Sequence, residues 1–262
     1  MLNYETYLND NSDLWVVFLH GIGGSTKTWG RQIKSFSEKY NLLLIDLHGH
    51  GKSQEVTGKI DIGFVNDSIK EVLDYLNIQK ADFVGMSMGT LVILNFAIKY
   101  PTYVSSLVLG GAIINIEGIY RTLTRVASKF RDLMPKTLTY RVFANIIMPA
   151  KWHERSRKIF FRESKRLKRK NFTAWVGYTT NLKWEKKIIK KLKELNINIF
   201  FISGEHDKCF INGIKHLSEK LSNSKLEIIK QCGHVCTIER HKEFNEYALA
   251  HLNNIHHLPQ AC

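Results

Sequence analysis

Long apolar runs are missing from this 262-residue chain. The longest, Leu107 to Ile114 and Phe143 to Met148, are far too short to span a bilayer. The opening Met-Leu-Asn-Tyr-Glu has no basic stretch followed by an apolar one, so no signal peptide is expected. Cysteine is scarce: Cys209, Cys232, Cys236 and Cys262 all fall in the last quarter, without the spacing of a disulfide framework. A reducing, cytoplasmic location is therefore expected. Cys232-Gly-His234-Val-Cys236 lacks the paired four-ligand spacing of a closed tetrahedral site, so no metal is expected. Repeats, proline-rich linkers and low-complexity tracts are also missing. With 44% hydrophobic and 24% charged residues, the chain reads as globular, not disordered.

Acidic residues are outnumbered, 24 against 38 Lys and Arg, for a net charge of +14. The imbalance is local. Residues 113–196 hold 22 basic residues against six acids, a net of +16, and the rest of the chain nets −2. Such asymmetry marks a segment with a different task from its surroundings.

What is present is an alternation of short apolar runs with longer helical patterns. Strands are predicted at Leu14–Leu19, Leu42–Asp46, Asp82–Gly85, Leu107–Gly110, Ile197–Ser203 and Leu226–Ile229. Continuous apolar runs suit parallel strands covered on both faces. Helices are predicted near Thr28–Lys39, Val65–Leu76, Met88–Tyr100 (closed by Pro101), Ile211–Leu221 and Glu239–Leu252. Leu2–Leu8 and the turn after it suggest an antiparallel edge hairpin. The expected fold is α/β, a mostly parallel sheet with helices on both faces. The alternation breaks once, between Gly110 and Ile197. Residues 113–182 are read there as an inserted helical cap, with a crossover helix at about 183–195; residues 1–112 and 183–262 form the core. The cap carries the basic excess and many aromatics, Phe130, Tyr140, Phe143, Phe160, Phe172 and Trp175 among them.

Gly85-Met-Ser87-Met-Gly89 follows a predicted strand and opens a predicted helix. A serine on so tight a turn projects its hydroxyl above the sheet edge, and its neighbours two places away must be small. Ser87 is thus the candidate nucleophile. A hydroxyl needs a base, and His234, on the loop after the last strand, lies at the same carboxyl edge. The imidazole needs an orienting acid. Gly204-Glu205-His206-Asp207 offers two, and Asp207 is preferred, with Glu205 in reserve; the alternative position after Gly110 reads Gly111-Ala112-Ile113-Ile114, with no carboxylate. Backbone N–H groups of Met88 and Ile22 are the candidate oxyanion hole, the latter in the glycine-rich loop His20-Gly-Ile-Gly-Gly-Ser25. That loop fits neither phosphate-binding glycine pattern, so no nucleotide cofactor is expected.

His20-Gly-Ile-Gly-Gly-Ser25, Asp46-Leu-His-Gly-His-Gly-Lys-Ser53, Gly85-Met-Ser-Met-Gly89, Gly204-Glu-His-Asp207 and Gly233-His234, in this order, resemble the landmarks of the α/β-hydrolase superfamily. The resemblance spans about residues 14–252 and is closest to a capped serine esterase. It implies an eight-stranded, mostly parallel sheet, an acyl-enzyme on Ser87 and no cofactor. It gives His48 and His50 no catalytic role and makes His20 an organiser of the oxyanion loop. Dehalogenases and epoxide hydrolases of that superfamily use aspartate where Ser87 stands, and proline iminopeptidases typically have Trp at the place of Met88. Members that cleave carbon–carbon bonds, and the menaquinone-pathway lyase, often have a second glycine where Thr90 stands, which weakens those readings.

The expected activity is hydrolysis of a carboxylic ester, lactone or thioester of a small acyl substrate. Its rivals are a ligand-binding or signalling hydrolase with the same triad, and a lyase or acyltransferase. Lys151 to Lys170 holds ten basic residues against Glu154 and Glu163. Two readings of it stay open, a solvated surface or a landing site for an anion. No nucleic-acid recognition fold accompanies it.

Overall fold

The computed structural model of the chain describes residues 1–114, 120, 122, 123, 126, 135–180 and 185–258. Phe130 and Cys262 of the sequence reading lie outside them, as do parts of the 113–182 segment.

Seven strands form one sheet: β1 (Tyr4–Tyr7), β2 (Trp15–Leu19), β3 (Asn41–Ile45), β4 (Ala81–Met86), β5 (Val104–Gly110), β6 (Asn198–Gly204) and β7 (Ser224–Ile229). The spatial order is β1-β3-β2-β4-β5-β6-β7. All neighbours run parallel except β1, which pairs antiparallel with β3, Tyr4 opposite Ile45. Two expectations are corrected. The described residues hold seven strands, not eight. The first run forms no hairpin with β2, because β3 lies between them and takes up the hydrogen bonds of β1.

Alternation along each strand sorts the core into two layers, as a pleated strand must. Leu43, Phe83, Leu107 and Phe201 face one side, with α2 (Ile62–Tyr75), α3 (Met88–Lys99) and α8 (Ile211–Lys220). Phe18, Val84, Val108 and Ile202 face the other, against α1 (Ile33–Ser37) and α10 (His241–Ile255). Each such side chain contributes about 1.5–3 kcal/mol by leaving water.

One predicted helix is broken. Thr28–Lys39 becomes a 3-10 turn (Thr26–Trp29) and the short α1, because Gln32 between them is buried and donates to Thr237 O and Asn245 Oδ1. The helix predicted at Glu239–Leu252 is α10, which starts at His241; Arg240, whose backbone is non-helical, separates it from the short α9 (Cys236–Glu239). By contrast, α2 starts cleanly, because Asp61 accepts from the N–H groups of Gly63 and Phe64.

Between β5 and β6 lie α4 (Lys136–Ile147), α5 (Glu154–Ser164), α6 (Arg169–Thr180) and α7 (Glu185–Glu194). The first three carry the aromatics of the sequence reading. Tyr140 and Phe172 meet at 4.3 Å and Phe143 and Phe172 at 5.2 Å between ring centroids, so these rings pack chiefly on one another.

Candidate active site

Parallel strands place all their carboxyl ends on one edge, and the loops after β2 to β7 meet there. β4 delivers Ser87 on a turn with φ 53° and ψ −117°, a conformation that strains any residue but glycine. The flanking glycines make it possible. A Cβ on Gly89 would lie 2.0 Å from Leu19 O, and one on Gly85 would lie 2.6 Å from Ile93 Cδ1. Thr90, at the foot of α3, donates to Ser87 O at 2.6 Å and accepts from Ile113 N–H at 3.2 Å, bracing the turn.

The loop after β7 brings His234 over Ser87. Ser87 Oγ lies 2.9 Å from His234 Nε2, and His234 Nδ1 lies 2.9 Å from Asp207 Oδ2. Asp207 and His234 are both buried. With Nδ1 donating to the carboxylate, Nε2 is left to accept the serine proton. Glu205, the reserve acid, is turned away, accepting from Gln231 N–H at 3.0 Å. Cys232 and Cys236 flank His234 but point their thiols at Gly233 O and Ile202 O, and burial pushes both thiols well above their ordinary pKa.

The two candidate oxyanion donors come from the start of α3 and from the loop after β2. Met88 is the first residue of α3, where backbone N–H groups have no intrahelical partner. Ile22 lines the same cavity as Ser87, and the chain before it runs so close that a Cβ on Gly21 would be 3.2 Å from Ser87 Cβ. His20 and His50 hold this loop. Leu47 N–H donates to His20 Nε2 and Gly23 N–H to His50 Nε2, both at 3.1 Å. Each ring therefore accepts through Nε2, and Nδ1 faces a carbonyl, Gly21 O for His20 and His48 O for His50. Burial lowers the pKa of both, that of His50 further, with His20 adding to its shift. His48 lies farther out, against Ser68 and Phe64, and its carbonyl accepts from Trp175 Nε1 at 2.9 Å.

The cavity above Ser87 is about 90 Å³ in volume and is walled mainly by apolar side chains, among them Ile113, Phe143, Ile147, Met148, Phe160 and Phe210. Its roof comes from α4 and α5. Phe160 packs so tightly on the oxyanion loop that a Cβ on Gly23, at φ +76°, would lie 2.5 Å from its ring.

Several contributors escaped the sequence reading. Gly111 has φ +51°, and a Cβ there would be 2.7 Å from His234 O and 3.1 Å from His234 Nδ1. The missing carboxylate after β5 marked this place, but a need for no side chain at all was not evident. Glu239 accepts from Gly233 N–H at 2.7 Å and from Ser156 Oγ at 3.1 Å, with His153 Nε2 3.8 Å away, and so ties the His234 loop to α5. Ser25 Oγ donates to the buried Glu163 at 2.9 Å, tying the oxyanion loop to the same helix. Those partners are 83 and 138 residues apart, and no local pattern announces them.

A family model described as the alpha/beta hydrolase fold matches residues 15–240. The chain is 27% identical over 270 residues to a 2-hydroxy-6-oxononadienedioate/2-hydroxy-6-oxononatrienedioate hydrolase of Comamonas testosteroni, covering 96% of this chain and 92% of that one. It is 24% identical over 257 residues to a putative 2-succinyl-6-hydroxy-2,4-cyclohexadiene-1-carboxylate synthase of Bacillus subtilis, covering 94% and 92%. Among solved structures, an enol-lactonase from Burkholderia xenovorans LB400 superposes with a TM-score of 0.78 at 18% identity, over 96% of each chain.

Proposed function

The chain belongs to the alpha/beta hydrolase fold family, and from that premise we propose that it is a serine hydrolase that cleaves a carboxylic ester, lactone or thioester through an acyl-enzyme on Ser87. The observation that carries the proposal is the unbroken relay at the floor of the cavity: 2.9 Å from Ser87 Oγ to His234 and 2.9 Å from His234 to Asp207. His234 Nε2 takes the hydroxyl proton as Oγ bonds to the carbonyl carbon, and Asp207 stabilises the imidazolium. The amides of Ile22 and Met88 hold the oxyanion. His234 returns the proton to the leaving group, then activates water to release the acid. The roof of α4 and α5 acts as the lid, selecting an apolar acyl group and excluding bulk water. No step calls for a cofactor.

A second reading is supported by a specific observation. The Comamonas relative is named as a hydrolase of 2-hydroxy-6-oxo dienedioates. A substrate of that kind could meet the same relay, in carbon–carbon cleavage, although Thr90 fills the place where a second glycine is usual in such enzymes.

The first experiment is intact-mass labelling with a fluorophosphonate probe and mapping of the adduct. A single adduct on Ser87, abolished in Ser87→Ala, is expected, together with turnover of short-chain 4-nitrophenyl esters. No adduct and no turnover on esters or on a 2-hydroxy-6-oxo dienoate would overturn the hydrolase proposal. Turnover of the dienoate alone would favour the second reading.

A further inference from the structure

The ten basic residues of Lys151–Lys170 do not form one surface. Lys168 and Lys170 both pair with Glu55, across from α6. Arg157 is spent internally, donating to the carbonyls of Met148 and Ala150. A third group stands apart. Arg155, Lys158 and Arg162, at three- and four-residue spacing, share one face of α5. They line a hollow whose other wall carries Lys27 and Arg31, beside the 3-10 turn Thr26–Trp29. A second hollow, sharing Lys27 and Arg162, adds Arg166. Six cations therefore line two adjoining hollows, and Glu163 is the only carboxylate among their lining residues.

Two features make this more than a solvated face. The hollow adjoins the cavity over Ser87, since Thr28, Ile159 and Ile238 line both. Its frame is also fixed. One oxygen of the buried Glu163 accepts from Ser25 and the other from Arg162 Nε, which joins α5 to the oxyanion loop at the edge of the cation row. Lys158 and Arg162 have partial partners in Glu154 and Glu163, so the excess falls on the others.

We propose that this cationic hollow is a subsite for the polyanionic, phosphate-bearing end of the substrate, with the acyl end in the apolar cavity at Ser87. The proposal rests on the serine hydrolase reading and narrows its substrate class. From Arg155 to Arg162 is seven helical residues, about 10 Å. A single carboxylate is satisfied by one bidentate arginine, whereas a row of that length matches several charges spread along a chain. A thioester whose leaving group is a phosphorylated carrier has this shape, with a neutral acyl group, a flexible arm and a cluster of phosphates, coenzyme A being the common example. The concavity, walled by both the core and α5, suits a small molecule better than a flat lipid surface. Chemically, Ser87 Oγ bonds to the acyl carbon, the carbon–sulfur bond breaks and the serine proton passes through His234 to the departing sulfur. Water then adds hydroxide to the acyl carbon and restores the serine hydroxyl.

The test compares kcat/KM for butyryl-coenzyme A with that for S-butyryl-N-acetylcysteamine, which has the same acyl group and thioester but no phosphates. The wild-type protein should prefer the coenzyme A ester by about tenfold or more, and the preference should shrink as salt is raised. In Arg155→Gln/Lys158→Gln the ratio should fall by about tenfold, whereas Lys191→Gln/Lys193→Gln, on α7, should leave it unchanged. Equal rates on the two thioesters with equal salt dependence would overturn the proposal. A calorimetric titration of Ser87→Ala with free coenzyme A separates the two levels. Binding that is lost in the Arg155/Lys158 variant supports the subsite even if no thioester is hydrolysed, whereas hydrolysis of the neutral thioester without binding leaves the hydrolase and removes the subsite. Adenosine 3′,5′-bisphosphate should displace coenzyme A and citrate should not; equal displacement by citrate would overturn the phosphate assignment. Sedimentation with phosphatidylserine vesicles, without coenzyme A binding, would overturn the proposal in favour of a membrane surface.

Discussion

Mild acid should loosen this protein, because two imidazoles are buried in its folded state. His50 lies beneath the oxyanion loop with its pKa lowered well below 6.5 by burial and by His20. His251 is stacked on Phe200, with ring centroids 4.9 Å apart, and burial lowers its pKa to about 4. His251 is neutral in the folded state near pH 5.5, and His50 accepts Gly23 N–H through Nε2 as a neutral ring does, but in the unfolded chain each titrates near its ordinary value of 6.5. Because the folded value is the lower one, the stabilisation is complete above about pH 6.5 and is lost as pH falls, the unfolded chain taking up the protons. One unit below the unfolded value, at pH 5.5, His251 costs about 1.4 kcal/mol, and His50 adds a loss in the same direction. For a chain of this size the His251 share alone is a fall in Tm of about 3–6 °C. His20, His48 and His153, also lowered by burial, act in the same direction. The carboxylates with lowered values, Glu55, Asp67, Asp74 and Glu154, are exposed and titrate below this window. Thermal unfolding followed by circular dichroism at pH 7.5 and 5.5 checks the argument, and His251→Phe should recover the His251 share of the loss. A Tm that does not move between those pH values would refute it.

Asp207→Asn should lower kcat by about 10⁴-fold with a nearly unchanged Tm, because the amide would donate to Nδ1 and force the proton onto Nε2, facing Ser87. Steady-state hydrolysis of a 4-nitrophenyl ester beside a melting curve reads both. Gly89→Ala places a Cβ 2.0 Å from Leu19 O, so it should cost more than about 3 kcal/mol and abolish activity, as measured by denaturant unfolding. Glu239→Ala strands Gly233 N–H and should cost about 1–3 kcal/mol, with a fall in kcat as the His234 loop loosens. Glu239→Gln, which keeps an acceptor oxygen, should restore part of both, and equal losses in the two variants would contradict this account.

Much of the architecture was legible because it rests on short-range patterns. A buried parallel strand needs a continuous apolar run, and all six predicted runs correspond to strands, each overlapping its observed range. The serine turn was legible for a similar reason: two glycines and a strand-to-helix junction are needed within five residues. Asp207 and His234 could be selected because parallel topology sends the ends of β6 and β7 to the same edge as β4. Helices fared worse where a polar residue has a distant partner. Nothing local in Thr28–Lys39 announces that Gln32 is to be buried against Thr237 and Asn245, more than 200 residues away. The N-terminal strand failed on pairing, since the run Leu2–Leu8 does not state that it will join β3.

The charge of the middle segment was visible, but its division was not, and the division decides what the segment can do. A run of ten basic residues in twenty is one statement in sequence and three in space. Lys168 and Lys170 fasten to Glu55, Arg157 braces its own helix approach, and Arg155, Lys158 and Arg162 face outward beside Lys27 and Arg31. The same helix, α5, roofs the cavity with Phe160 and grips both functional loops, through Glu163 to Ser25 and through Ser156 to Glu239. A group bound by its cations would therefore press on an element already joined to the oxyanion loop and to the loop of His234. The binding energy of a charged, non-reacting end would then hold the roof down over the reacting one, where it lowers the barrier and not only KM. A substrate stripped of its phosphates should accordingly lose in kcat as well as in KM.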